Sequence, residues 1–351
     1  MRDDKLYMQG KLILSDGNTF EGASFGAPLS HSGEIVFATG MTGYPQAFTD
    51  PSFAGQILIM TYPLIGNYGV PDKDLWESDK LQINGLIVSN YIDTPSHFQS
   101  KMTLSQWLSK EKIPALEIKD TRLLTQHLRE KGVMLGKIII DKDIEQYDPN
   151  KVNLVAKVST DAITREGNGN KTIVIIDCGA KRNITKCFLK RGVKTITVPW
   201  DYDPFESGLH FDALFISNGP GDPKMADKTI LTIKKALSNK IPTLGICLGN
   251  QLLALAAGGD TYKLKYGHRS QNQPCMLYKS EKCYITTQNH GFAIKNVPDG
   301  FEPWFVNAND KTIEGIKHKK YPFMSVQFHP EATPGPMDTE WIFDYFLERV
   351  K

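Results

Sequence analysis

The stretch PTLGICLGNQLLALAAGG, residues 242–259, decides how this chain is read. Its first part is a short apolar run, as in a strand covered on both faces, and the part from Asn250 onward reads as a helix. Gly245-Ile246-Cys247-Leu248-Gly249 is then the corner between them. A small-x-Cys-x-Gly corner has the form of a nucleophile elbow with cysteine in place of serine. Glycines flank the central residue because a tight corner crowds its neighbours and needs unusual backbone angles. Such a corner is expected to expose Sγ above the sheet edge, at a helix N-terminus whose dipole favours thiolate. The competing reading is a buried structural cysteine, and the flanking glycines weigh against it.

Around this corner the pattern alternates. TIVIID (172–177), TITVPW (195–200) and ALFISNG (213–219) read as strands, and 183–192 and 226–237 as helices. The last helix, 339–350, carries Phe343, Phe346, Leu347 and Val350 at i, i+3, i+4, i+7 spacing. Strands alternating with helices imply a doubly wound, mainly parallel sheet. In such a sheet the strand ends and following loops gather at one reactive edge. FMSVQF (323–328) is a further strand, and His329-Pro330-Glu331 follows it. There Glu331 is placed to hold one imidazole nitrogen while the other faces Cys247. Ser217-Asn218-Gly219-Pro220-Gly221-Asp222-Pro223 is a rigid loop with free N–H groups, and Gly219 and Leu248 N–H form the expected oxyanion pair. Gln288-Asn289-His290-Gly291-Phe292 offers an amide and an approachable backbone beside an aromatic wall.

The first part of the chain is mostly β. KLILSDGNTFEG (11–22) reads as a hairpin around Asp16-Gly17-Asn18, and 33–40, 55–63, 84–91 and 136–141 are further strands. Residues 104–112 and 121–132 look helical, the second with Leu123, Leu124, His127 and Leu128 on one face. The expected organisation is a mostly β or α+β domain over 1–145, a polar linker region over 146–170 and the α/β domain over 171–351.

Bulk properties exclude several classes. The 351 residues hold 41 basic and 39 acidic side chains, a net charge of +2 that supports neither a nucleic-acid nor a membrane role. No segment is apolar enough to span a bilayer. The opening MRDDKLYMQG is charged and lacks an apolar signal core, so a cytoplasmic protein is expected. The 5 cysteines are odd in number and lack Cys-x-x-Cys spacing, against a disulfide framework or a zinc site. No metal and no cofactor is expected on this chain, which has no Gly-x-x-x-x-Gly-Lys-Ser/Thr nucleotide loop.

SNGPGDP, GICLGNQ, QNHGF and QFHPE occur in this order in class I glutamine amidotransferases, and residues 171–351 resemble that family. Thr42-Gly43-Tyr44-Pro45, 49–53, 61–69 and Asp120-Thr121-Arg122-Leu123-Leu124-Thr125 resemble the amino-terminal domain of carbamoyl phosphate synthetase small subunits. The resemblance implies that Cys247 attacks the side-chain amide of L-glutamine and forms a thioester. His329 would shuttle protons and Glu331 would orient it. It further implies glutamine contacts at Ser52, Gly219, Gly221, Leu248, Gln251, Asn289, Gly291 and Phe292. The ammonia would pass to a large synthetase subunit that uses ATP and Mg with bicarbonate, in a heterodimer or higher oligomer serving arginine or pyrimidine synthesis. Two alternatives stay open: an amidotransferase for another synthase, and a regulatory subunit with a dead site. Asn250, where the family often has His, is the feature that favours the last.

Overall fold

The computed structural model describes residues 8–351, so the charged residues 1–7 lie outside the described residues. The chain forms two compact units, Met1–Lys151 and Val152–Lys351.

In the first unit seven strands close into a barrel. Their order is Gln9–Leu14, Thr19–Ser24, Ala115–Glu117, Gly85–Val88, Gln56–Met60, His31–Ala38 and Met134–Ile139. The expected hairpin is there, with Leu12 opposite Phe20 and Gly17 in the turn at φ 90°. Gln56–Met60 and Gly85–Val88 are buried along almost their whole length, which explains their unbroken apolar runs. Helix Leu104–Lys110 is closed at its start by a capping box between Thr103 and Gln106 and buries Leu104, Trp107 and Leu108. In helix Thr121–Lys131 the buried stripe is Thr121, Leu124 and Leu128. Leu123, read from the sequence as part of that face, is instead 53% exposed. A stripe of residues at i, i+3 and i+7 already fills the contact, so its neighbour points outward.

The second unit is built on a ten-stranded sheet. Its parallel part has the order Lys194–Pro199, Thr172–Asp177, Ala213–Ile216, Thr243–Ile246, Phe323–Val326. Helices Arg182–Lys190, Asp227–Ser238, Leu248–Ala256 and Trp341–Leu347 accompany it, and apolar clusters lie on either side. The sequence reading did not resolve what lies between Asp260 and His318. Strands Asp260–Leu277, Cys283–Asn296, Phe301–Asn307 and Ile313–His318 extend the sheet in antiparallel fashion. The long pair Asp260–Leu277 and Cys283–Asn296 changes register three times, and those irregularities hide the period-2 pattern that marks a strand.

The stretch 146–170 contains regular structure. Val155–Val158 is a short helix, and Thr164–Glu166 adds an antiparallel edge strand beside Lys194–Pro199. Thr160 N–H donates to Asp177 Oδ2 at 2.7 Å, which ties this segment to the second unit. Among the described residues no helix is long and apolar enough to cross a membrane.

Candidate active site

Four neighbouring parallel strands deliver the candidate groups at their carboxyl ends. Thr172–Asp177 leads to Lys181, Ala213–Ile216 to the 217–221 loop, Thr243–Ile246 to Cys247, and Phe323–Val326 to His329 and Glu331. Ligand sites of open parallel sheets form at this edge because the loops there leave a crevice.

Cys247 is the elbow. It has φ 55° and ψ −103° and stands directly before helix Leu248–Ala256. A non-glycine residue held there costs roughly 1–3 kcal/mol and is found where the surrounding structure over-determines it. The flanking glycines are required by contact. A Cβ at Gly245 would lie 2.4 Å from Gly249 O, and one at Gly249 would lie 2.3 Å from Ile216 O. Cys247 N–H donates to Val326 O at 2.8 Å, which fixes the elbow to the strand that leads to His329. The residue is 2% exposed, so the expectation of an open sulfur is corrected. The cause is the antiparallel extension: it brings Asn289 O to 3.6 Å from Sγ.

His329 and Glu331 are buried, and Nδ1 lies 2.7 Å from Glu331 Oε1. Burial is the largest influence on the imidazole and pushes its proton affinity down. Glu331 and then Cys247 outweigh it, and hold the ring well above the ordinary histidine range. This is the balance expected of an imidazolium beside a carboxylate and a sulfur. Nε2 and Glu331 Oε2 are buried without a hydrogen bond among the described residues. The Cys247 sulfur is close enough to the ring to raise its proton affinity.

A residue that the sequence reading missed completes the pair. Lys181 is 2% exposed, and its Nζ lies 3.1 Å from Glu331 Oε1 and also donates to Ala332 O. Burial alone would raise the Glu331 carboxyl, but Lys181 and then His329 hold it well below the usual carboxylate range. The signal was available: Gly179-Ala180-Lys181-Arg182-Asn183 directly follows a parallel strand and so opens on the same edge.

The 217–221 loop packs against the elbow. Gly249 N–H donates to Ser217 O at 3.1 Å, and a Cβ at Gly219 would lie 2.1 Å from Cys178 O and 2.9 Å from Leu248 Cδ2. Gly221 has φ +85°, which favours glycine. Asn218 accepts from Lys181 N–H at 3.0 Å. Among the described residues neither Gly219 N–H nor Leu248 N–H donates to a backbone or side-chain acceptor.

Gln251 is held by donation from Nε2 to Phe292 O at 2.8 Å and to Gln327 Oε1 at 3.1 Å. Asn250 donates to the same Gln327 oxygen at 3.1 Å and accepts from Ser325 Oγ at 2.8 Å. Asn250 thus supports the residue that supports Gln251. Asn289, Gly291 and Phe292 lie on Cys283–Asn296, with Asn289 opposite Arg269. Ser52 belongs to the first unit. It is buried in the single turn Pro51–Phe53, and its N–H donates to Asp50 Oδ1 at 2.9 Å.

His268, His290 and Glu314 bring possible metal-donor atoms within 4.8 Å of one another. Gln288 already knits this cluster. Its Oε1 lies 2.9 Å from His268 Nδ1 and 3.0 Å from His290 Nε2, and its Nε2 donates to Glu314 Oε2 at 3.0 Å. With the amide at the centre, the cluster is a hydrogen-bond network that pins the strand carrying Asn289.

An open parallel sheet with a cysteine elbow and a His-Glu pair at its carboxyl edge defines a class of amidotransferases. The chain belongs to the class-I glutamine amidotransferase family, whose model matches residues 174–349. Residues 12–138 match the model for the carbamoyl-phosphate synthase small chain, CPSase domain. The chain is 46% identical over 387 residues to the multifunctional protein URA2 of Saccharomyces cerevisiae, covering 97% of this chain and 17% of that protein. It is 48% identical over 354 residues to the multifunctional protein CAD of Squalus acanthias, covering 96% and 16%. It is 44% identical over 354 residues to the mitochondrial carbamoyl-phosphate synthase [ammonia] of Homo sapiens, covering 97% and 24%. The chain thus spans between about a sixth and a quarter of the length of these relatives.

Proposed function

We propose that this chain hydrolyses L-glutamine and supplies the ammonia to a carbamoyl phosphate-forming synthetase. The observation that carries the reading is the buried His329–Glu331 pair beside the strained Cys247 elbow. The Cys247 sulfur attacks the side-chain amide carbon, and the oxygen takes up negative charge. The N–H groups of Gly219 and Leu248 stabilise that oxygen. His329 gives a proton to the departing nitrogen, and ammonia leaves a γ-glutamyl thioester. Water then attacks the thioester carbon while His329 takes its proton. The C–S bond breaks, glutamate leaves, and the sulfur is restored. Glu331 keeps the ring oriented, and Lys181 keeps Glu331 charged.

Gln251, Asn289, Gly291 and Phe292 hold the amino-acid end of glutamine, with Gly221 shaping the loop below it. The match to the small-chain domain supports a large synthetase partner, a separate subunit or a further part of a longer chain, that binds ATP and Mg. The product then enters pyrimidine or arginine synthesis. All 5 cysteines are free, which fits a reducing compartment such as the cytoplasm.

The test compares wild type with Cys247→Ala, together with the synthetase partner. The variant is expected to lose glutamine hydrolysis and glutamine-dependent synthesis while ammonia-dependent synthesis persists. Equal loss of both syntheses contradicts the proposal. The reading as a dead regulatory subunit predicts no glutamine hydrolysis by wild type.

A further inference from the structure

The backbone just after Glu331 is strained. Ala332 has φ 54° and Thr333 has φ 50°, two consecutive non-glycine residues in the left-handed region. Such residues persist only where the surroundings enforce them, and they cluster where geometry serves function. Ala332 is 1% exposed, and its N–H donates to His329 O at 3.1 Å. The bend is thus a tight turn built on the His329–Glu331 pair.

One side chain bridges this turn on both sides. Asn183 Nδ2 donates to Glu331 O at 2.5 Å and to Thr333 Oγ1 at 2.7 Å. Its two N–H bonds are thereby committed, one to each side of the strained Ala332. Lys181, two residues earlier, grips the same turn through Glu331 Oε1 and Ala332 O. Asn183 touches none of Cys247, the His329 ring or the Glu331 carboxylate through these bonds. What it grips is the main chain from which the Glu331 side chain departs.

We propose that Asn183 is a positioning residue: it holds the 331–333 turn in its strained form, and so aims the Glu331 carboxylate at His329. This rests on the proposed glutaminase reading. Relaxation of the turn would swing Glu331 away from Nδ1 and leave the imidazole less well held. Misplacement of a catalytic group by about 1 Å can lower a rate about a hundredfold.

The test uses Asn183→Asp, Asn183→Ala and Thr333→Val in the whole chain. Asp keeps the shape but turns an acceptor toward two oxygens. Val at 333 removes one of the two acceptors with little change of shape. The expected result is a fall in kcat for glutamine hydrolysis of at least about tenfold for both Asn183 variants, and a smaller fall of the same kind for Thr333→Val. KM should stay close to wild type, because the glutamine contacts lie on other segments. Ala332→Gly in the Asn183→Ala background should recover several-fold of the loss, since glycine adopts φ 54° without strain. The pH profile of Cys247 alkylation by iodoacetamide is the second readout and requires no turnover. It therefore reports on the turn even if wild type fails to hydrolyse glutamine, the result that would sink the functional reading alone. Its low-pH limb should move to higher pH in the Asn183 variants as the imidazolium loses its carboxylate. Unchanged kcat together with an unchanged alkylation profile overturns the proposal. So does a rise in KM with kcat intact, or an absence of any recovery by glycine at 332.

Discussion

At the scale of single residues, the site depends on a buried chain of charge from Lys181 through Glu331 to His329. Glu331 is almost wholly removed from water, yet its carboxyl is held low because Lys181 lies 3.1 Å away. Taking away one partner of a buried ion pair leaves the other without compensation. Lys181→Met is therefore expected to destabilise the protein by roughly 3 kcal/mol, measured by urea unfolding, and to lower kcat for glutamine hydrolysis. Unfolding unchanged from wild type would show that Glu331 does not need the lysine. Cys247, His329 and Glu331 could be read from the sequence because each follows a strand that ends at the sheet's reactive edge. Lys181 obeys the same rule but was passed over, since a lysine beside an arginine in a loop ordinarily reads as solvated surface.

At the scale of elements, helix Leu248–Ala256 organises the side where the proposed function places glutamine. Its first turn holds Gln251, and Asn250 reaches Ser325 and Gln327 on and beside the next strand. Asn250 is fully buried and bonded at both ends of its amide, so it has a structural place beside the elbow. Asn250→Leu should free Gln327, loosen Gln251 and raise KM for glutamine more than it lowers kcat. Steady-state kinetics decide this, and a fall in kcat alone would contradict it. The parallel strands were readable because burial on both faces leaves continuous apolar runs. Asp260–Leu277 and Cys283–Asn296 were not, because bulges break their alternation and their burial switches face. The burial of Cys247 could not be foreseen for the same reason: the residue that covers it, Asn289, stands on one of those strands.

At the scale of the whole molecule, two units carry different parts of the proposed task. The second holds the cysteine site. The first is a closed barrel whose sequence matches the small-chain domain. The folded state of the second unit also carries a pH signature. For His268, burial pushes the imidazole down, but Asp310 and Glu314 more than offset it and leave the ring at about 9. A histidine raised in the folded state contributes stability that is complete below its unfolded value near 6.5. That stability is lost as pH rises through about 9. The stability gap between wild type and His268→Gln should therefore shrink by roughly 1–3 kcal/mol between pH 6 and pH 10. Urea unfolding across that range checks it, and a gap that stays constant would show that His268 is not charged in the fold.

The most direct test of the cysteine site is covalent trapping with a glutamine-analogue electrophile, followed by mapping of the modified residue by mass spectrometry. The expected result is one adduct per chain, on Cys247, prevented by excess L-glutamine and slowed in His329→Ala. Labelling of Cys283, the exposed cysteine, at a rate equal to that of Cys247 and without protection by glutamine would contradict it.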